Sequence, residues 1–274
     1  MGAGILKACA ARAAERTGRA ACRLVRAAAG LAGFCGRLAA AAGRTLFSRS
    51  IRSRLPDFPR IFARSGAEAV PVTMLVGFLL GFILAYMSAA MLNRFGAEIY
   101  VANLVGLALV KELGVIVAAI VLAARSASAF AAEIGTMAVN DELAALRTMG
   151  IDPVRYLALP RIASGALALP LLSLFADLAG LAGGWLTLSF YGYTSRIFWA
   201  KAFEFCELAD LGTSLAKGCV FGAVIAAAGC KCGLETGLGA DAVGQATTRA
   251  VVSSLVAFIA LDGLYAILAS LLGG

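Results

Sequence analysis

The chain has 274 residues, 61% of them hydrophobic and only 15% charged, and its 31 glycines are additional to that apolar majority. A soluble domain carries about 25% charged residues and leaves about a quarter of its chain surface exposed, so the excess apolar surface needs a bilayer as solvent. The sequence contains no histidine, which excludes zinc sites built on His, Ser-His-Asp triads and Cys-His pairs, and it lacks the phosphate-cradling GxxxxGK run followed by Ser or Thr.

Charge divides the chain into a basic arm, 1–68, and a body, 69–274. Residues 1–69 carry 13 basic and 3 acidic side chains, and the remainder carries 11 and 13. In the arm Arg12, Arg16, Arg19, Arg23 and Arg26 step by four and three, so they share one helical face that Arg37 and Arg44 continue. The other face is mostly Ala with Leu24, Leu31, Phe34 and Leu38. This predicts an interfacial helix with its arginines towards lipid headgroups. A solvated Ala-rich tail over 1–29 and an Arg-rich organellar transit peptide stand as alternatives. Stacking aromatics are too few beside these arginines to favour nucleic acid as a partner. The seven cysteines are scattered, with Cys230 and Cys232 too few for a metal site, and read as small hydrophobes.

The body predicts five membrane spans. Ala69–Asn93 is charge-free. On it Gly77, Gly81, Ala85 and Ala89 recur every four residues, a seam for close helix approach. Leu84, Ser88, Met91, Leu92 and Phe95 form a bulkier stripe that either faces lipid or lines an acyl-chain cavity. Ile99–Ala124 is the second span, interrupted by Lys111-Glu112. Charges at mid-membrane face the protein interior or water, so this pair predicts either an ion-pair network at a helix contact or a patch for a lipid headgroup.

Ser126–Asp152 is too polar to span and too regular for a loop. With Asn140 as N-cap, Asp141 and Glu142 in the first turn, Gly150 at C′ and Pro153 beyond, it predicts a capped cytoplasmic helix whose apolar edge is Leu143, Leu146 and Met149. That helix either docks a partner or packs on the protein's own face. Ile162–Ser195, Leu211–Cys230 and Ala250–Leu272 are the third, fourth and fifth spans, carrying Asp177, Lys217 and Asp262. With the N-terminus in the cytoplasm, 19 basic residues fall inside and 3 outside, so the C-terminus is expected on the outer side.

The run KELGVIVAAIVLAARSASAFAAEIGTMAVNDELAALRTMGIDPVRYLALPR (Lys111–Arg161) resembles the signature region of MlaE-type permeases, the membrane subunits of ABC transporters that work with MCE proteins on phospholipids. GADAVGQATTRAVVSS (Gly239–Ser254) is similar to the segment before that family's last span. Val115 stands where the family commonly has Pro, Ala124 and Ala127 replace glycines, and Asp141-Glu142 replaces Glu-Gln. The likeness runs over roughly residues 30–274.

The resemblance implies an all-α permease working as a homodimer in a bacterial inner membrane. Its expected partners are a separate ATPase subunit that binds the ATP, an MCE-domain protein and, in some systems, a small regulatory subunit. No cofactor is expected on this chain, and it is not expected to be an enzyme. The ATPase-coupling residues implied are Arg125, Glu133, Gly135, Met137, Asp141, Glu142, Leu146, Met149 and Gly150. Leu84, Met91, Leu92, Phe95, Lys111 and Glu112 are the expected substrate-binding set for a phospholipid or related lipid. A proton-coupled secondary transporter and an intramembrane lipid-modifying enzyme, both using the buried carboxylates, are the competing readings.

Overall fold

The computed structural model describes residues 58–271; the predicted arm helix and the last three residues lie outside them. Among the described residues every regular element is a helix. Five helical runs are long and apolar enough to cross a bilayer: Phe58–Phe95, Glu98–Val139, Val154–Phe190, Leu208–Leu234 and Ala240–Leu271, spans 1 to 5 below. They run alternately up and down. One end of the bundle collects Arg64, Arg125, Arg147, Arg155 and Arg161 and is called the basic end; the far end carries Arg94, Arg196 and Lys201.

Span 1 consists of α1 (Phe58–Ser65), a short 3-10 turn and α2 (Val70–Leu92). The body therefore begins before residue 69: Ser65 Oγ lies 2.5 Å from Ser164 Oγ, and Phe62 packs into the main apolar cluster. The four-residue seam of α2 is buried. A Cβ added at Gly81 would fall 2.0 Å from the Gly180 carbonyl oxygen, so spans 1 and 3 meet backbone to backbone. That is how helices associate where lipid offers no hydrophobic drive between them. Spans 3 and 4 repeat the device, a Cβ at Gly222 coming 2.1 Å from Gly165 O and one at Gly165 2.7 Å from Gly222 O.

Span 2 is a single helical run of 42 residues. At 1.5 Å per residue this is about 63 Å, twice the roughly 30 Å of hydrocarbon. Part of the surplus is α5 (Ser128–Val139), about 18 Å of helix that prolongs the span along the basic end. The capped helix expected between Asn140 and Gly150 is α6 (Glu142–Thr148), and the part of the polar segment before it belongs to span 2. Asn140 closes α5 rather than opening α6, and Asp141 makes the turn between them with φ 58°. Gly150 does occupy the left-handed position after α6, with φ 74°.

Two wide π turns, Leu109–Leu113 and Ala123–Ala127, divide span 2 into α3 (Val101–Ala108), α4 (Gly114–Leu122) and α5. Span 3 is α7 (Leu159–Phe190) preceded by a third such turn. The far-end helix α8 (Ser195–Ala202) buries Phe198 and Ala202 against Val101, Val105 and Leu188. Spans 4 and 5 are α9 (Leu208–Leu234) and α10 (Ala240–Leu271), and α10 is the least buried of the five.

Candidate functional site

The first π turn decides where the membrane charges point. Its extra residue shifts the face of span 2 that meets span 3 from every fourth residue to the fifth. Leu109 packs at Gly180, and the next contact is made by Gly114, whose added Cβ would fall 1.7 Å from Asp177 Oδ1. Lys111 and Glu112, in the middle of the turn, are aimed instead at span 4. Lys111 Nζ lies 3.2 Å from Asp210 Oδ1, and Lys217 Nζ lies 2.5 Å from Glu112 Oε1. Asp210 and Lys217 are seven residues apart, two turns of α9 and hence on one face, so neighbouring charges on span 2 each find an opposite charge on a single helix.

Lys217 is the centre of the cluster. Its side chain is 5% exposed, and it also lies 3.8 Å from Asp262 Oδ1 on span 5, an ion-pair contact too long for a hydrogen bond. Its ammonium sits 4.1 Å from the ring centroid of Tyr265, within cation–π range. Asp210 does double duty: it completes the N-terminal capping box of α9 with Glu207 while holding Lys111. Beside these charges, between spans 4 and 5, a cavity of ≈ 370 Å³ is lined by Lys217, Val220, Phe221, Leu264, Tyr265 and Leu268. One charged group at the edge of an apolar chamber suits an amphiphile, since neither of its halves is then left in the wrong solvent.

The sequence-predicted lipid stripe on span 1 divides. Leu84 and Leu92 pack against the apolar cluster that contains Leu109, whereas Met91 and Phe95 are 71% and 84% exposed. The described partners of Lys111 and Glu112 lie on spans 4 and 5, and the stripe packs on the other side of span 2. The residues that sequence reasoning left without a role, Asp210, Lys217, Asp262 and Tyr265, complete the site. The usable signal was that span 2 carries an adjacent Lys111-Glu112 pair while the predicted fourth and fifth spans carry one charge each, Lys217 and Asp262, of pairable sign.

The expected coupling set also divides. On α6 and its flanks Asp141, Glu142, Met149 and Gly150 are exposed, and Leu146 is half-buried. Leu143 is buried and anchors the short helix. Met137 is half-buried near the end of α5. Arg125, Glu133 and Gly135 face inwards. Glu133 accepts from Arg64 and Arg161, Arg125 pairs with Glu68, and an added Cβ at Gly135 would meet Thr236 at 2.9 Å.

The family model for "Permease MlaE" matches residues 59–268, covering all five spans, the charged cluster and α6. The chain belongs to the MlaE permease family. It is 36% identical over 192 residues to a "Probable ABC transporter permease protein" of Rickettsia typhi, a stretch covering 70% of this chain and 74% of that one. It is 29% identical over 222 residues to the "Intermembrane phospholipid transport system permease protein MlaE" of Haemophilus influenzae, covering 80% and 85%. Over 200 residues it is 35% identical to "Protein TRIGALACTOSYLDIACYLGLYCEROL 1, chloroplastic" of Arabidopsis thaliana, covering 73% and 57%. This MlaE-family chain is therefore a multi-pass membrane permease of ABC-transporter type. The family match begins within α1, inside the last ten residues of the 1–68 arm.

Proposed function

We propose that this chain is the permease subunit of an ABC transporter that moves phospholipids or chemically related lipids between the inner and outer membranes of a bacterium. It works as a homodimer, each copy docked on a separate ATPase subunit that binds the ATP, with an MCE-domain protein on the outer side. A small regulatory subunit on the ATPase is compatible with this arrangement. The chain itself binds no cofactor and no nucleic acid. The basic end faces the cytoplasm and the C-terminus the periplasm. The observation that carries the reading is the charged cluster at membrane depth opening beside an apolar chamber, in a chain of this family. A headgroup meets Lys111, Glu112 and Lys217 while acyl chains lie along the chamber between spans 4 and 5; Met91 and Phe95 of span 1 form a separate exposed edge for lipid.

Purification from mild detergent tests the assembly: a stoichiometric ATPase is expected to accompany the chain. Its absence would favour the proton-coupled or lipid-modifying alternatives. A photo-crosslinker at Met91, Phe95 or Leu264 is expected to capture phospholipid, and capture no greater than at outward-facing Val256 would remove the lipid route.

A further inference from the structure

At the basic end α1 is held by its own C-terminus. The last carbonyl oxygens of a helix have no partner within it, and here those of Arg64 and Ser65 are taken by span 2: Arg125 Nη1 donates to Arg64 O at 3.1 Å, and Ser126 Oγ donates to Ser65 O at 3.1 Å. Both donors sit in the second π turn, Ala123–Ala127. Arg125 also pairs with Glu68, which precedes α2. Two turns further along α5, Glu133 is gripped from two sides. Arg64 of α1 reaches Oε1 at 2.5 Å and Arg161 of span 3 reaches Oε2 at 2.9 Å. Arg161 is only 11% exposed, donates also to Leu157 O at 2.9 Å and lies 5.9 Å from the Phe130 ring centroid. The carboxylate bridges two guanidinium groups, one through each oxygen, with charge-assisted hydrogen bonds, so three elements meet at one side chain.

From Glu133 the same helix runs unbroken to Val139, and after the turn at Asp141 becomes α6. In the other direction α1 continues through a single short turn into α2, which carries Met91 and leads to Phe95. Rigid elements joined by packed contacts and ion-pair networks can carry coupling between distant sites, and α6, α5, the Glu133 clamp, α1 and span 1 form such a series. We propose that Glu133 and Arg125 are positioning residues that carry movement of α6 into α1 and span 1, rather than contacts to the ATPase itself. This rests on the reading that α6 docks on the ATPase.

The test uses the reconstituted transporter with Glu133→Gln, Glu68→Arg, Arg125→Glu and the double variant Glu68→Arg/Arg125→Glu. Each variant is expected to retain the ATPase subunit at wild-type stoichiometry. The three single variants should raise the ATP hydrolysed per lipid moved at least fivefold, and the double variant, which restores the ion pair but not the Arg125 hydrogen bond to Arg64 O, should recover at least half of the rise seen in either of its parents. Amide exchange of residues 58–65 in the detergent-purified permease should speed at least fivefold in Glu133→Gln, whether or not an ATPase is bound. An unchanged ATP-to-lipid ratio, an unchanged exchange rate, failure of the swapped pair to recover, or loss of the ATPase from Glu133→Gln would each overturn the proposal. If Asp141 and Glu142 variants keep the ATPase fully bound, the docking reading fails instead, and the exchange measurement still decides whether the clamp holds α1.

Discussion

Lys217 meets Glu112 at 2.5 Å and Asp262 at 3.8 Å where little water is available to balance a charge. Removing one member of such a group leaves the others uncompensated, which is costlier than never having built it. Lys217→Met should therefore destabilise the permease by about 2 kcal/mol, below the roughly 3–5 kcal/mol of a fully buried pair because Glu112 is half open. Lys217→Met/Glu112→Gln should recover much of that loss, since the carboxylate then no longer lacks its cation. Thermal unfolding in detergent reads both, and a double variant no more stable than the single would show that Glu112 is not the partner that matters.

At the far end a second, exposed pair behaves differently. The Lys201 ammonium, then the Asn103 amide, hold the Glu204 carboxyl below its ordinary range, and the same Lys201–Glu204 hydrogen bond holds Lys201 above its own. Their contribution is lost only as pH falls through the lowered Glu204 value or rises through the raised Lys201 value. Because Asn103 belongs to α3 and Lys201 to α8, Trp199 fluorescence in a Trp185→Phe background should stay constant around neutrality and change on acidification below the usual carboxylate range. An acid transition that persists unchanged in Glu204→Gln would contradict this.

Among the elements, the spans and the Gly77–Ala89 seam were legible in the sequence, because apolar length and a four-residue repeat of small residues are written directly into composition. The seam makes a sharp prediction. Gly81→Leu would drive a branched side chain into the Gly180 carbonyl, and overpacking of this kind costs about 1–3 kcal/mol or more. Spans 1 and 3 should then separate, as a cysteine pair engineered across them would report by failing to cross-link.

The π turns were not legible: one extra residue per turn changes neither polarity nor length, yet it decides that Gly114 faces Asp177 while Lys111 and Glu112 face span 4. The start of α6 was legible to within a residue from Asn140, Asp141 and Glu142. Helical periodicity does not mark where hydrocarbon ends, so the polar run from Ser126 did not show that fourteen of its residues, 126–139, prolong span 2. The docking surface correspondingly shrinks to Asp141–Gly150. Asp141→Asn with Glu142→Lys removes its acidic edge while keeping at 141 a residue that tolerates φ 58°. ATPase co-purification should drop severalfold while the permease still inserts, and an intact complex would place the docking surface elsewhere.

For the whole molecule, orientation follows from where the charges lie when five spans alternate. Among the described residues Arg60, Arg64, Arg125, Arg147, Arg155, Arg161, Lys231 and Arg249 fall at one end and only Arg94, Arg196 and Lys201 at the other; the sequence before α1 carries eleven more basic residues. Loops this short and this basic are retained in the cytoplasm. On the orientation proposed above, α6 lies on the side where ATP is available and the Met91–Phe95 edge on the other. An odd number of crossings then puts the two chain ends in different compartments. A reporter fused after Gly274 should be active only as a periplasmic fusion, and one inserted at Asp141 only as a cytoplasmic one. If both report the same compartment, one of spans 3, 4 and 5 fails to cross. Should that be span 4 or span 5, the Lys217–Asp262 contact would need a different membrane depth, and the chamber between those helices would no longer lie within the bilayer.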